Sequence, residues 1–386
     1  MPGLLDAPVR AGTLQLVPSA STRVTRRGLL IADASVGALL IAHPDPAALA
    51  VALGQPTSAE SLRTLLSEGC DDPAEVDESL ANLLEIGLLT GPDLPEEAPL
   101  APGLRLDRTG LYVPGIDRIA ARIAGLLAPV LRPLPLLALG ALAALGVAAL
   151  LAGAPAGPRV SDHPALDAWA GLALMLLMAA AHELGHAVAL ARYGRRPGGA
   201  GVGFYWGMVC FFVDSAEAVT LPRRARIVQA LAGLGVDAVA IAALVGASHL
   251  LAGTVSGAIA WRIAVVSAVS AAINAAPFLR LDGHWALSDA LDEPDLAARA
   301  AKDARRLLGG HRPERPLLAL YGLTSAFAGL ALLVMAAVVW YAASHQLVHA
   351  LAAGTWVDRL TLVAVFGPTA VGLVLTLGGL VASRSD

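Results

Sequence analysis

The chain has little cysteine, little lysine and little charge. Only two of its 386 residues are cysteines, Cys70 and Cys210, far apart and without metal-ligand spacing, so no disulfide framework is indicated. Lys302 is the single lysine; the remaining positive charge is arginine, a composition typical of GC-rich bacterial genomes and silent about mechanism. Charged residues make up 15% of the chain and the net charge is -4, too small a balance to argue for nucleic acid or a strongly charged partner. The first residues lack the basic-then-apolar pattern and small-residue cleavage site of a signal peptide, so none is expected.

What the chain has in abundance is apolar sequence. It is 56% hydrophobic with a mean hydropathy of +0.66, too apolar for an ordinary soluble domain of this size. Its charges crowd into the first 130 residues, into Arg192–Arg226 and into Arg280–Arg315. Six segments reach the roughly 20 residues that a bilayer crossing needs: Pro133–Gly153, Ala168–Ala191, Ile227–Gly253, Gly257–Phe278, Leu317–Ala342 and Leu360–Ala382. Arginine clusters follow the second and fourth of these, and the other connections are almost free of them. The positive-inside rule therefore puts both termini and both arginine-rich connections in the cytoplasm of a bacterial inner membrane. The expected fold is mainly α: a membrane helix bundle of about six spans over 131–386, a linker and juxtamembrane segment over 101–130, and a small N-terminal α+β domain over 1–100.

One short stretch inside the second span carries chemistry: His182-Glu183-Leu184-Gly185-His186. Positions four apart stack on one helix face, so His182 and His186 can grip one metal ion, with Glu183 beside them as a proton acceptor. This is the HExxH arrangement of zinc hydrolases. The alternative is a pair of core histidines satisfied by their neighbours. Ionisable groups at membrane depth are costly and mark functional sites by default. A third ligand must come from the same membrane face, where the fourth span ends in Asn274-Ala-Ala-Pro-Phe-Leu-Arg-Leu-Asp282-Gly283-His284-Trp285. Asp282, followed by a glycine that permits a close turn, is the natural choice. His182 lies about 15 Å along the helix from Arg192, so the fourth span is expected to break at Pro277 or Gly283 and run on toward Leu291. Of the remaining polar residues, His249, His345 and His349 read as interfacial, His284 as a support beside Asp282, and Arg262 as a side chain snorkelling outward.

In the N-terminal domain, Thr13–Val17 and Gly28–Ile31 read as strands around a polar segment Ser19–Arg27, followed by a helix over Pro46–Leu53. Ser58 precedes a second helix, and Asp72-Pro73 fits an N-cap with proline at the first helical position of a third that Gly87 stops. The result is a winged-helix-like unit. It resembles the recognition elements that hold leader peptides in ribosomal peptide maturation, with Thr57–Thr90 carrying most of the likeness; the alternative is a regulatory or merely stabilising appendage.

HELGH on one span and Asp-Gly on a later one resemble the site-2 protease family of intramembrane zinc metalloproteases, over roughly Ala168–Ala300. The likeness is closest to the peptide zinc metalloproteases that accompany ribosomally made peptides, including the daptide type. It also includes Gly203-Phe-Tyr-Trp-Gly207 to Asp214, Leu221-Pro-Arg-Arg224 and Arg280–Trp285. The resemblance implies one Zn2+ per chain held by His182, His186 and Asp282, Glu183 as catalytic acid/base, and Asn274 positioning the scissile peptide or its oxyanion. It implies a peptide substrate, held by strand addition on the apolar segment Val202–Val213, and contact with membrane lipid; by composition alone that segment reads equally as an ordinary interfacial loop. The family's Gly-Pro-x-x-Asn segment stands here as Gly233-Leu-Gly-Val-Asp237, and the second Asn of its Asn-x-Asn-Pro is missing. Asp237 is left open as a neutral acid in the span or as a competitor of Asp282 for the metal. Two other functions compete: regulated cleavage of a signalling protein such as an anti-sigma factor, and a non-catalytic zinc-binding receptor or transporter. The first is disfavoured because Arg192–Arg226 is too short to hold a PDZ domain.

Overall fold

The computed structural model describes residues 13–382 except 26–27, 34–36, 70–71, 92–104, 107–109, 114, 156–159, 206–207 and 294–295. Cys70, Trp206 and Gly207 lie outside the described residues. The N-terminal unit runs β1 (Thr13–Leu16), β2 (Ser21–Thr25), β3 (Gly28–Asp33), β4 (Gly37–Ile41), α1 (Pro46–Leu53), β5 (Thr57–Ser58), α2 (Ala59–Ser67), α3 (Pro73–Glu85) and β6 (Leu89–Thr90). The helix starts follow from local chemistry. Asp45 accepts from the N–H groups of Ala47 and Ala48, Ser58 from Ser61, and Asp72 from Ala74, each filling donors that a first turn leaves open. Leu49, Leu53, Leu62, Leu80 and Leu83 from the three helices bury against Leu29 and Ile31 of β3. Burial of one such side chain is worth about 2 kcal/mol.

The polar segment Ser19–Arg27 is not a connection: it supplies β2, and Gly37–Ile41 supplies a further strand, β4, giving an antiparallel sheet of order β2-β3-β4. The reason lies in β3, which is buried almost throughout and needs a partner on each edge for its backbone groups. Leu29, Ile31, Leu39 and Ile41 share the face turned to the helices. Ser21, on the other face, reaches across to the membrane part of the chain, where its hydroxyl lies 2.9 Å from that of Thr220.

The segment expected to be a linker is partly built into the fold. It carries β7 (Arg105–Leu106), β8 (Gly110–Val113) and α4 (Ile116–Leu127). Then come α5 (Pro133–Ala152), α6 (Pro164–Arg192), β9 (Gly199–Tyr205), β10 (Met208–Asp214), a 3-10 turn over Ala216–Thr220, α7 (Arg223–Leu250), α8 (Val255–Ala275), α9 (Asp282–Leu291), α10 (Leu296–Leu308), α11 (Pro316–Ala353) and α12 (Trp356–Ala382). β8 pairs with β9, so the linker is stitched to the β9–β10 hairpin in one sheet of order β10-β9-β8-β7. Ala120 and Ala124 of α4 bury against Ala187 and Val188 of α6.

Among the described residues five helices, α5, α6, α7, α8 and α11, are long and apolar enough to cross a membrane, and the sixth expected span coincides with α12. The chain is a multi-pass membrane protein. Large apolar side chains such as Leu137, Leu151 and Phe327 point outward, which costs nothing when the surroundings are lipid. The bundle closes through small residues, as helices in lipid do. A Cβ on Gly146 would stand 2.5 Å from that of Ala242, joining α5 to α7, and one on Gly185 would stand 2.9 Å from Val236, joining α6 to α7. Arg262 does not snorkel. Its guanidinium turns inward and bonds the buried carboxylate of Asp167 at 2.8 Å, because a partner inside the bundle compensates a charge better than apolar surroundings alone.

Candidate metal centre

The residues singled out as ligands come together at the arginine-rich end of the bundle. α6 carries His182 and His186 one turn apart near its C-terminal end. α8 stops at Ala275, since Pro277 offers no N–H to continue the ladder and disfavours helical backbone at Ala276, which is extended at ψ 129°. The chain turns and α9 restarts at Asp282, so the expected break at Pro277 is present and delivers the carboxylate back toward α6. Gly283 makes this return possible: a Cβ there would lie 2.0 Å from the Ala275 carbonyl oxygen.

The three ligand atoms form a nearly equilateral triangle. His182 Nε2 and His186 Nε2 are 3.2 Å apart, and Asp282 Oδ2 lies 3.1 Å from the first and 3.3 Å from the second. A tetrahedral ion with bonds of about 2.0–2.1 Å has ligand-to-ligand edges of about 3.3–3.4 Å. The triangle therefore matches one face of such a tetrahedron and leaves the fourth corner free. Two imidazole nitrogens and one carboxylate oxygen are the donor set of a hydrolytic zinc site.

A stripe on α7 lies antiparallel to the two histidines. Gln229, Gly233 and Asp237 are four residues apart and so share one face. The Gln229 carbonyl oxygen lies 2.8 Å from His186 Nδ1, and Asp237 Oδ2 lies 2.8 Å from His182 Nδ1. Each ring thus has an acceptor at its Nδ1, which leaves both Nε2 lone pairs turned into the triangle. Between them Gly233 leaves room, because a Cβ there would stand 2.5 Å from His182 Nε2 and 2.6 Å from His186 Nε2. The donor set, the triangle and this cradle all fit a tetrahedral divalent ion. Asp237 sits behind the ring of His182 and outside the triangle, so it does not compete with Asp282.

Glu183 lies beside the triangle, with the backbone N–H of Val213 in β10 within hydrogen-bonding reach of its carboxyl. Among the described residues β10 is the terminal strand of its sheet, and its Val213 N–H is the backbone donor turned to Glu183. Asn274 is engaged on both of its amide atoms with Asp282: Nδ2 donates to Oδ2 at 2.9 Å, and Oδ1 accepts from the Asp282 N–H at 3.2 Å. This holds Asp282, and the same Nδ2 lies 3.3 Å from His182 Nε2, so the amide also borders the triangle. His284 is buried and supports the same turn. Its Nδ1 lies 3.1 Å from the hydroxyl of Tyr321, which donates to the Pro277 carbonyl at 2.5 Å. The other histidines of the helices stay away: His249 meets Trp261 edge to face, and His345 stacks on Tyr341.

Sequence reasoning missed two partners. The Gln229 carbonyl is backbone and leaves no mark in side-chain chemistry, and Tyr321 comes from a helix more than a hundred residues after the histidines. The spacing of residues 229, 233 and 237 was the available signal. Compared with known proteins, the chain matches no family model, no curated protein and no solved structure.

Proposed function

We propose that this protein is a membrane-embedded zinc endopeptidase of the site-2 protease type that matures a small ribosomally made peptide. The observation that carries the reading is the triangle of His182, His186 and Asp282 with Glu183 next to it. A zinc ion held there would supply Lewis-acid activation of water and of the peptide carbonyl at neutral pH. Glu183 takes the proton of the attacking water and returns it to the leaving amine. A helical substrate hides its carbonyls, so it must be drawn out before cleavage. The free edge of β10 supports strand addition beside Glu183, with backbone bonds holding the peptide and alternate side chains setting register.

The positive-inside rule puts the arginine-rich end, and the site with it, on the cytoplasmic side of a bacterial inner membrane. The N-terminal unit then faces newly made peptide, and its contact with the 3-10 turn just before α7 brings it near the site. This arrangement supports leader recognition. Regulated cleavage of a signalling protein is less favoured, since the α6–α7 connection is filled by the hairpin and the 3-10 turn and holds no further domain.

The test is co-expression with a precursor peptide encoded beside this chain, followed by mass spectrometry. The intact protein should shorten the peptide, and Glu183→Gln should leave it full length while retaining the metal. Equal cleavage by both would assign the cut to another enzyme and favour a non-catalytic metal-binding role.

A further inference from the structure

Asp237 is an acidic residue in the middle of a membrane-crossing helix, where an ionisable side chain is expensive and needs a named partner. Its partner is the imidazole of His182, at 2.8 Å, and the contact is made to Nδ1, the ring nitrogen turned away from the triangle. His182 is thereby held between two carboxylates, Asp237 at Nδ1 and Asp282 at Nε2. His186, one turn along, has a backbone carbonyl at its Nδ1 instead. The two rings are equivalent in sequence and unequal in support.

We infer that Asp237 is a positioning residue of the metal centre, acting through His182 to set its metal affinity; the inference rests on the zinc reading above. Three features of the fold carry it. An acceptor at Nδ1 fixes the proton there, so that the Nε2 lone pair faces the ion. A charged acceptor makes that nitrogen a stronger donor to a cation than a neutral one would. Asp237 and Asp282 together supply two negative charges, which balance a divalent ion inside apolar surroundings where an unbalanced charge is costly. The placement is built by helix geometry. Gly233 opens the space for the ion, and Asp237, one turn further on the same face of α7, falls behind the ring that borders it.

The test uses the full chain purified in detergent, stripped of metal and titrated with Zn2+ against a chromophoric chelator, with Co2+ absorption as the second readout. Asp237→Asn keeps size and a hydrogen-bond acceptor but removes the charge; Asp237→Glu keeps the charge. The Asn variant should bind Zn2+ about 10- to 100-fold more weakly, with an intense four-coordinate Co2+ spectrum that is shifted but not lost. The Glu variant should recover part of the affinity, and Asp282→Asn should lose the four-coordinate spectrum. A purely structural role for Asp237 would lower the thermal midpoint and leave the Zn2+ affinity of the folded fraction within twofold of the unaltered chain, which would overturn the inference. Collapse of the Co2+ spectrum in Asp237→Asn, as in Asp282→Asn, would overturn it by making Asp237 a ligand. If the unaltered chain takes up no Zn2+, the zinc reading fails first and this inference with it; normal uptake unaffected by both Asp237 variants sinks the inference alone.

Discussion

Single atoms decide whether the site exists. Gly233 has no side chain to contribute, yet a Cβ there would occupy space beside both Nε2 atoms. On the proposed zinc reading, Gly233→Ala should therefore lower metal content at least about tenfold by elemental analysis, although His182, His186 and Asp282 are all retained. Tyr321→Phe removes one hydroxyl from the chain of contacts that holds the Pro277 turn. Removing one buried partner from that carbonyl and from His284 should cost about 1–3 kcal/mol, read as a lower thermal midpoint in detergent. The two histidines are legible at this scale because their spacing of four matches a helical turn, and Glu183 because it stands next to the first of them. Asn274 was legible as a residue of the site, but its bonds to Asp282 were not, since which group an amide bonds depends on the return of Asp282 beside it.

At the scale of elements, the bundle depends on contacts between helices that lie far apart in sequence. The Asp167–Arg262 pair joins α6 to α8, with the Asp167 side chain fully buried and that of Arg262 9% exposed. Arg262→Ala would strand a buried carboxylate and should destabilise the protein by about 3–5 kcal/mol, whereas an apolar double replacement of Arg262 and Asp167 should recover most of the loss. Unfolding in a graded series of denaturing detergent would measure both. The β9–β10 hairpin makes a different prediction. Val213→Pro removes the N–H that faces Glu183 and one donor from the free edge of β10. It should reduce peptide cleavage by at least about tenfold, the worth of 1.4 kcal/mol, while metal content stays normal. Loss of metal in that variant would place the defect in the ligand triangle instead. Strands β2 and β4 were hard to read because a five-residue strand half exposed on one face carries only a short alternation, easily taken for a polar loop.

For the whole molecule, the N-terminal unit and the membrane bundle meet at the 3-10 turn, through Ser21, Thr220 and Glu217. Arg195 Nε donates to Thr220 Oγ1 at 3.0 Å, and Glu217 accepts from the Arg196 N–H at 3.1 Å. Burial raises the Glu217 carboxyl above its usual 4.5, with the nearby charge of Asp33 acting in the same direction against the bond from Arg196. An acid whose value is raised in the docked state stabilises that state fully below its ordinary value, and the stabilisation is lost as pH rises through the raised one. Hydrogen exchange of β2–β4 in the full chain should therefore speed up as pH climbs out of the mildly acid range, beyond the intrinsic increase in exchange rate. Glu217→Gln should remove that extra dependence.

The amino-acid sequence by itself determined that this chain crosses a membrane, which ends of its helices carry arginine, and that His182 and His186 share a face with Glu183 beside them. Those properties are local: hydropathy over about 20 residues and a period of 3.6 survive without knowledge of any other segment. Only the tertiary structure decided that Asp282 completes the triangle, that Asp237 stands behind His182 rather than within it, that Asn274 holds Asp282, and that Arg262 turns inward to Asp167. These depend on how α6, α7 and α8 cross and on the broken backbone between Ala275 and Asp282. A carboxylate acts as ligand or as support according to which nitrogen of one imidazole it meets, a difference of a few ångströms set by packing between distant helices.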